Sequence, residues 1–332
     1  MTQLDGYRFG TPSHRLTGLG RAAACLLLLA LGPLACKKTQ NGDTIVNNYT
    51  TNPTAPPNFN AVAYAFDREW GGGGGSVTLN EPSGIAVRGS VVYVSDYNNA
   101  RVVAFSATGE YINQYTTDSV GAFGHPSGLA VDAAGNLFVA DATNHRVSKL
   151  GPNGAPITAW TGGTVPFSVT TDVALDRAGN VYVADQGNGL IQKLTAAGAP
   201  VTAWGQGSNG AFIILRSLAL DAQGNLYAGD FGAGLVQKLT AAVAPVTSWG
   251  SGILTGDAST YVDPAGNVYA GDVNHVVKFA PNGVFLTQWG GPGIGTGNGT
   301  FHGVTGIAVD PSGNVYVVDF FNNVVQKFTP LP

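Results

Sequence analysis

Cysteine is almost missing from this chain, with two in 332 residues. Cys25 lies in an apolar run near the start, and Cys36 stands just beyond it. So few thiols exclude a disulfide framework and a thiolate zinc cluster. Charge is scarce too: 11% of residues are charged, which leaves nothing to solvate long helices. The formal net charge of −4 comes without a basic tract and argues against nucleic acid as a partner. The apolar run Ala22–Leu31 is only about ten residues long, too short for a hydrocarbon core of ~30 Å. There is no Gly-x-Ser-x-Gly elbow. Gly71–Gly75 leads into Ser76-Val-Thr with no lysine or helix, so it reads as a flexible connector and not a phosphate loop.

What is present in excess is glycine, 48 residues, which suits a turn-dense all-β protein. A search for repeats shows why. Gly128–Leu150 reads as three short strands with two turns, and Gly306–Phe328 repeats it almost word for word. The aspartate that closes the middle strand recurs at Asp96, Asp141, Asp185, Asp230, Asp272 and Asp319, at spacings of 45, 44, 45, 42 and 47. Six units of that length need four strands each. Small residues on the first strand (Ala86, Ala130, Ala174, Ala219, Ala308) suit the crowded axis of a radial array.

The fourth strand of each unit ends in an aromatic: Tyr115, Trp160, Trp204, Trp249 and Trp289. The sixth unit runs out of chain before reaching one. Its missing strand is at the other end, where Ala61–Gly71 carries the same apolar rhythm and the same Trp-Gly ending at Trp70. The expected architecture is therefore a six-bladed β-propeller of four-stranded blades, closed by the N-terminal strand completing blade 6, with no long free sheet edge. The turns Asp132–Gly135, Asp176–Gly179, Asp221–Gly224, Asp263–Gly266 and Asp310–Gly313 fit type I geometry. Five copies of one aspartate in one turn point to a structural role. The same reasoning covers the strand-closing aspartates and the asparagines three places on (Asn99, Asn144, Asn188, Asn322).

Residues 1–36 read as an export signal, with Arg8, Arg15 and Arg21 ahead of the apolar run. The ending Gly-Pro-Leu-Ala-Cys36 resembles a bacterial lipobox, which would make Cys36 the acylated first residue; the alternative is ordinary signal cleavage. Loss of the leader removes Asp5 and three arginines and leaves 13 basic and 19 acidic residues, a net −6. By resemblance to Gram-negative sorting, Lys37 and Lys38 after the cysteine point to an outer membrane lipoprotein of the cell envelope. Residues 37–60 hold almost nothing apolar and read as a disordered tether reaching roughly 25–30 Å. Residues 61–332 are the propeller.

The pattern Pro-Ser-Gly-Leu-Ala-Val-Asp-x-x-Gly-Asn-Leu-Phe-Val-Ala-Asp-x-x-Asn-x-Arg-Val of residues 126–147 resembles the NHL repeat family of six-bladed propellers. The resemblance spans residues 61–332. It implies a fold and leaves activity open, because such propellers host ligand binding, scaffolding and a few lyases or hydrolases.

The connections from strand four to the next strand one, and from strand two to strand three, emerge on one face. His125 and His302 fall in the first kind and His145 and His275 in the second, so all four histidines beyond the leader share that face. Tyr97, Phe123, Phe231, Phe320 and Phe321 fall there too, along with the longer connections Thr116–Gly124, Gly205–Leu215 and Gly290–Phe301. Variable loops on a rigid scaffold are where binding usually resides. Two readings follow. One is a non-catalytic binding or scaffold module, without cofactor, that takes a protein, peptide or glycan on this face. The other is a metal-assisted lyase or hydrolase. Peptidyl-hydroxyglycine lyase propellers resemble this chain, and the resemblance would make His125 and His302 ligands of a divalent metal, with His275 or a carboxylate as the third.

Overall fold

The computed structural model describes residues 63–72, 77–205, 212–242, 244–256, 259–291 and 295–331. The expected export signal, Cys36 and the tether lie outside them, as does most of the glycine-rich connector. The described residues belong to one compact unit, Asn52–Pro332. They form six four-stranded antiparallel sheets. Among them, no helix is long and apolar enough to cross a membrane.

Blade 2 shows the plan, with strands Pro126–Val131, Leu137–Asp141, Arg146–Leu150 and Pro156–Trp160 running from the axis outward. Blade 6 takes its outermost strand from the opposite end of the chain. Tyr64–Trp70 pairs antiparallel with Val324–Pro330, from Tyr64 opposite Pro330 to Trp70 opposite Val325. The expected closure is the one observed. We call the face with the strand-four-to-one and two-to-three connections upper, and the other lower.

Local hydrogen bonds explain why the repeats take this shape. In the lower turn of blade 2, the Gly135 amide donates to the Asp132 carbonyl at 3.0 Å, and the Asp132 carboxylate accepts from the Asn136 amide at 2.8 Å. The strand-closing aspartates act on the upper face. Their carboxylates accept from the loop entering the same blade, as Asp96 does from the Asn80 amide at 2.7 Å and Asp319 from the His302 amide at 3.0 Å. Asn99, Asn144, Asn188 and Asn322 donate to those carboxylates at 2.7–2.9 Å. Each carboxylate thus stands in for backbone partners that a turn cannot supply.

Blades hold one another through aromatic rings. Each outer-strand aromatic faces a ring on strand two of its own blade, as Trp160 faces Phe138 at 6.2 Å and Trp204 faces Tyr182 at 6.5 Å. Four of them also reach the strand-three-to-four turn of the next blade. Trp160 lies over Gly198, Tyr115 over Gly154, Trp70 over Gly109 and Trp249 over Gly283. Near the axis, the tightest approach lies two residues upstream of the small alanines. A Cβ on Gly128 would stand 2.0 Å from the Asp172 carboxylate of blade 3.

Candidate functional site

The topology places all four histidines on the upper face, in separate surroundings. His125, just before the inner strand of blade 2, stacks on Tyr97 of blade 1 with ring centroids 4.5 Å apart, and its Nδ1 meets the Thr143 hydroxyl. His302 lies 4.5 Å from the Phe321 ring, and burial lowers its pKa. The His275 ring is 3.6 Å from the Asp272 carboxylate. Burial alone would raise the Asp272 carboxyl, but hydrogen bonds from His275 and Asn274 hold it below the usual range. His145 is exposed, with φ 52° at the bend that Ala100 and Asn323 occupy in other blades. Among the described residues, no three His, Cys, Asp or Glu side chains stand together as a metal shell. The donor set expected by resemblance to the lyases therefore does not fit a shared ion.

The aromatics divide. Tyr97, Phe231 and Phe321 are partly exposed. Phe123 and Phe320 are each only 4% exposed, so they do not present the binding surface expected of them. Phe123 is the inward anchor of its loop, packed among Tyr93, Val102 and Leu129. Phe320 is covered by Phe321 and lies close to Gly303.

Three groups at the channel were not singled out from the sequence. Arg216 stands where other inner strands have Ser83, Ser127, Thr171 and Thr305, and its guanidinium lies 5.9 Å from the Phe231 ring. Burial raises the Tyr97 phenol, Arg216 opposes this, and Glu81 adds to it. Glu81 itself holds φ 51°. Asp172 stands where the other blades have Gly84, Gly128, Ser217, Ser259 and Gly306. Arg216 and Asp172 were legible as departures from the repeat; Glu81 was not, because its position differs in every blade.

Asp172 is part-buried at the axis. Its carboxylate accepts from the Val173 amide and, across the blade boundary, from the Leu218 amide, both at 2.8 Å. Burial pushes its pKa up to about 7, the two amides opposing. A carboxyl raised on folding favours the native state at low pH, and that advantage is lost as pH rises through the folded value. Asp172 should therefore lower stability between pH 5 and 8. Relative to Asp172→Asn, the wild type should lose on the order of a few °C in melting temperature across that window. A gap between the two proteins that is the same at pH 5 and pH 8 would refute the assignment.

The loops above blades 1 and 2 are stiff. Thr116–Gly124 is closed by a bridge between Thr117 and Ala122. Asp118 sits buried inside it, accepting from the Val120 amide at 2.7 Å and pairing with Arg146 at 2.8 Å, with Ser148 also donating. Arg146 donates on to the Ala122 carbonyl at 2.7 Å. The next loop is bridged between Gly162 and Pro166, and the Val165 amide donates to Gln192 at 3.2 Å. In the third, the Ile213 amide donates to Asp230 at 3.0 Å. All three carry an exposed aliphatic: Val120 is 66% exposed, Ile213 60%, and Val165 is exposed between them.

These features define a six-bladed β-propeller of the NHL type. The NHL repeat family matches residues 123–150, the stretch containing the organising repeat. No curated protein matches the chain. Among solved structures, it is similar to a gluconolactonase from Xanthomonas campestris at 15% identity and TM-score 0.60, over 76% of this chain and 87% of that one. It is also similar to virginiamycin B lyase from Staphylococcus aureus at 11% identity and TM-score 0.59, over 81% of this chain and 100% of that one. A streptogramin B lyase matches at 13% identity and TM-score 0.56, over 81% and 88%. At these identities the likeness is one of fold.

Proposed function

We propose that this chain is an exported, lipid-anchored, non-catalytic module that binds a protein partner on its upper face, in the bacterial envelope. The observation that carries the reading is the pair of loops that follow blades 1 and 2, each stiffened from below and carrying an exposed valine, Val120 and Val165, with the exposed Ile213 beyond them. A loop held by a buried ion pair or a buried glutamine pays little ordering entropy on binding. Exposed valine and isoleucine tips favour an apolar protein surface over a glycan, which would call for polar partners. Tyr97, Phe231 and Phe321 extend that surface towards the channel mouth, where partly exposed rings make good anchors. The lactonase and lyase activities belong to the proteins that carry those names. Here each histidine has its own surroundings, which supports recognition over metal-assisted chemistry.

The test is capture from an envelope extract by the full chain. Val120→Asp combined with Val165→Asp should cut recovery of the captured partner at least tenfold, because a charge buried at an interface centre costs several kcal/mol. Ser312→Asp on the lower face should leave recovery unchanged. Equal recovery by all three proteins would refute the upper-loop assignment.

A further inference from the structure

We infer that the lower rim of the propeller rests on the lipid surface, so that the upper loops point away from the membrane. This rests on the lipid-anchored reading above and goes beyond it by assigning an orientation. The first observation is strand direction. Tyr64–Trp70 runs upward, since Trp70 pairs with Val325 near the upper end of blade 6 and Tyr64 with Pro330 at its lower end. The chain from Cys36 therefore joins the domain at the lower rim. The other end leaves there too, where the Leu331 amide donates to the Ala63 carbonyl at 2.7 Å.

The second observation is what that rim displays. Outer strands begin directly after the strand-three-to-four turns, which open on the lower face, so their first residues lie near it. Ile112, Ile157, Val201 and Val246 are each the second residue of the outer strand in blades 1 to 4, and all four are exposed. Val284, just before the outer strand of blade 5, and Leu331 near the chain end are exposed as well. A lone exposed aliphatic needs no explanation. Recurrence at one register, around the rim where the tether attaches, does. In blade 6 the sequence turns polar at this height, with Asp67 paired to Lys327 at 3.2 Å. The occupant that fits is the lipid surface to which an acylated Cys36 would hold the chain. Thin apolar contact is marginal by itself and becomes effective when an acyl chain supplies the second signal.

Four variants of the full chain that each add one cysteine test this, with Cys36 left for acylation: Ile157→Cys, Val246→Cys, Val120→Cys and Ile213→Cys. Each carries a polarity-sensitive fluorophore and is reconstituted in phosphatidylcholine–phosphatidylglycerol vesicles containing a nitroxide lipid. The expected result is quenching several-fold stronger at Ile157 and Val246 than at Val120 and Ile213, with all four melting as the wild type does. Equal quenching, stronger quenching at the upper pair, or none at any site while protein stays with the vesicles would overturn the orientation and leave the anchor standing. A lower-rim signal that follows protein density and ignores the nitroxide lipid would assign the rim to a second copy and also overturn it. Failure of the protein to float with vesicles, with an unmodified Cys36 by mass spectrometry, would remove the anchor and this inference together.

Discussion

Deleting Ala61–Gly71 is expected to abolish the cooperative fold, whereas deleting the equally long Gln40–Thr50 leaves the melting temperature unchanged. The strand Tyr64–Trp70 is more than the fourth strand of one blade, because its two ends seal two different blade boundaries. At the lower end, the Tyr64 hydroxyl meets that of Tyr269 at 2.9 Å and its ring lies 4.5 Å from Trp289, both in blade 5. At the upper end, Trp70 stands 6.1 Å from Tyr316 of blade 6 and 6.1 Å from Phe105 of blade 1. Loss of a packed tryptophan typically costs 3–5 kcal/mol. A whole domain is stable by about 5–15 kcal/mol. Deletion would also strip the ladder from Val324–Pro330 and open a long sheet edge. Thermal melting followed by circular dichroism checks this. A truncated domain that melts where the intact one does would show that the ring closes some other way.

Gly198→Ala should cost about 3 kcal/mol or more, through backbone strain and an overpacking clash confined to the boundary between blades 2 and 3. The backbone there has φ 85°, and an added Cβ would stand 1.8 Å from Nε1 of Trp160. The left-handed conformation costs a side chain about 1–2 kcal/mol. Displacing the tryptophan adds the larger share, since Trp160 packs on Phe138 and cannot retreat into its own blade. The matched control is Gly224→Ala. It has φ 83° as well, yet its added Cβ would lie 3.5 Å from Ala241 in ordinary contact. The control should therefore lose only the conformational term, about 1–2 kcal/mol. Denaturant melts of both variants compare the two directly. Equal losses would mean that Trp160 moves freely and that the aromatic contact does not hold the blades together.

Much of this was legible in the sequence, and the limits of legibility have a physical cause. The terminal aromatics announced themselves by position, but not the glycines they cover, because nothing local to Trp160 refers to Gly198. Asp172 and Arg216 were visible as departures from Gly, Ser and Thr at their register. Their meaning depended on facing the channel and on the Leu218 amide lying within reach. The histidines could be assigned to a face because loops of known type emerge there. Their neighbours could not: His125 meets Tyr97 across the boundary between blades 1 and 2, while His302 meets Phe321 within blade 6, and packing decides between the two. Phe123 and Phe320 look like the other loop aromatics in sequence, and only packing separates them.

By itself, the sequence determined the number of blades, the strand that closes them and the structural duty of the repeated aspartates. The repeated spacing carries the first two, because the one unit that lacks an outer strand and the one strand that lacks a unit identify each other. The aspartates act through hydrogen bonds between residues close in the chain. The tertiary structure alone decided which rings are buried, which loops are braced and which aliphatics reach solvent. Such contacts join residues on different strands, from Val165 and Gln192, 27 positions apart, to Tyr64 and Tyr269, 205 positions apart. They come into being only when the ring closes and each blade is set at its angle to the next.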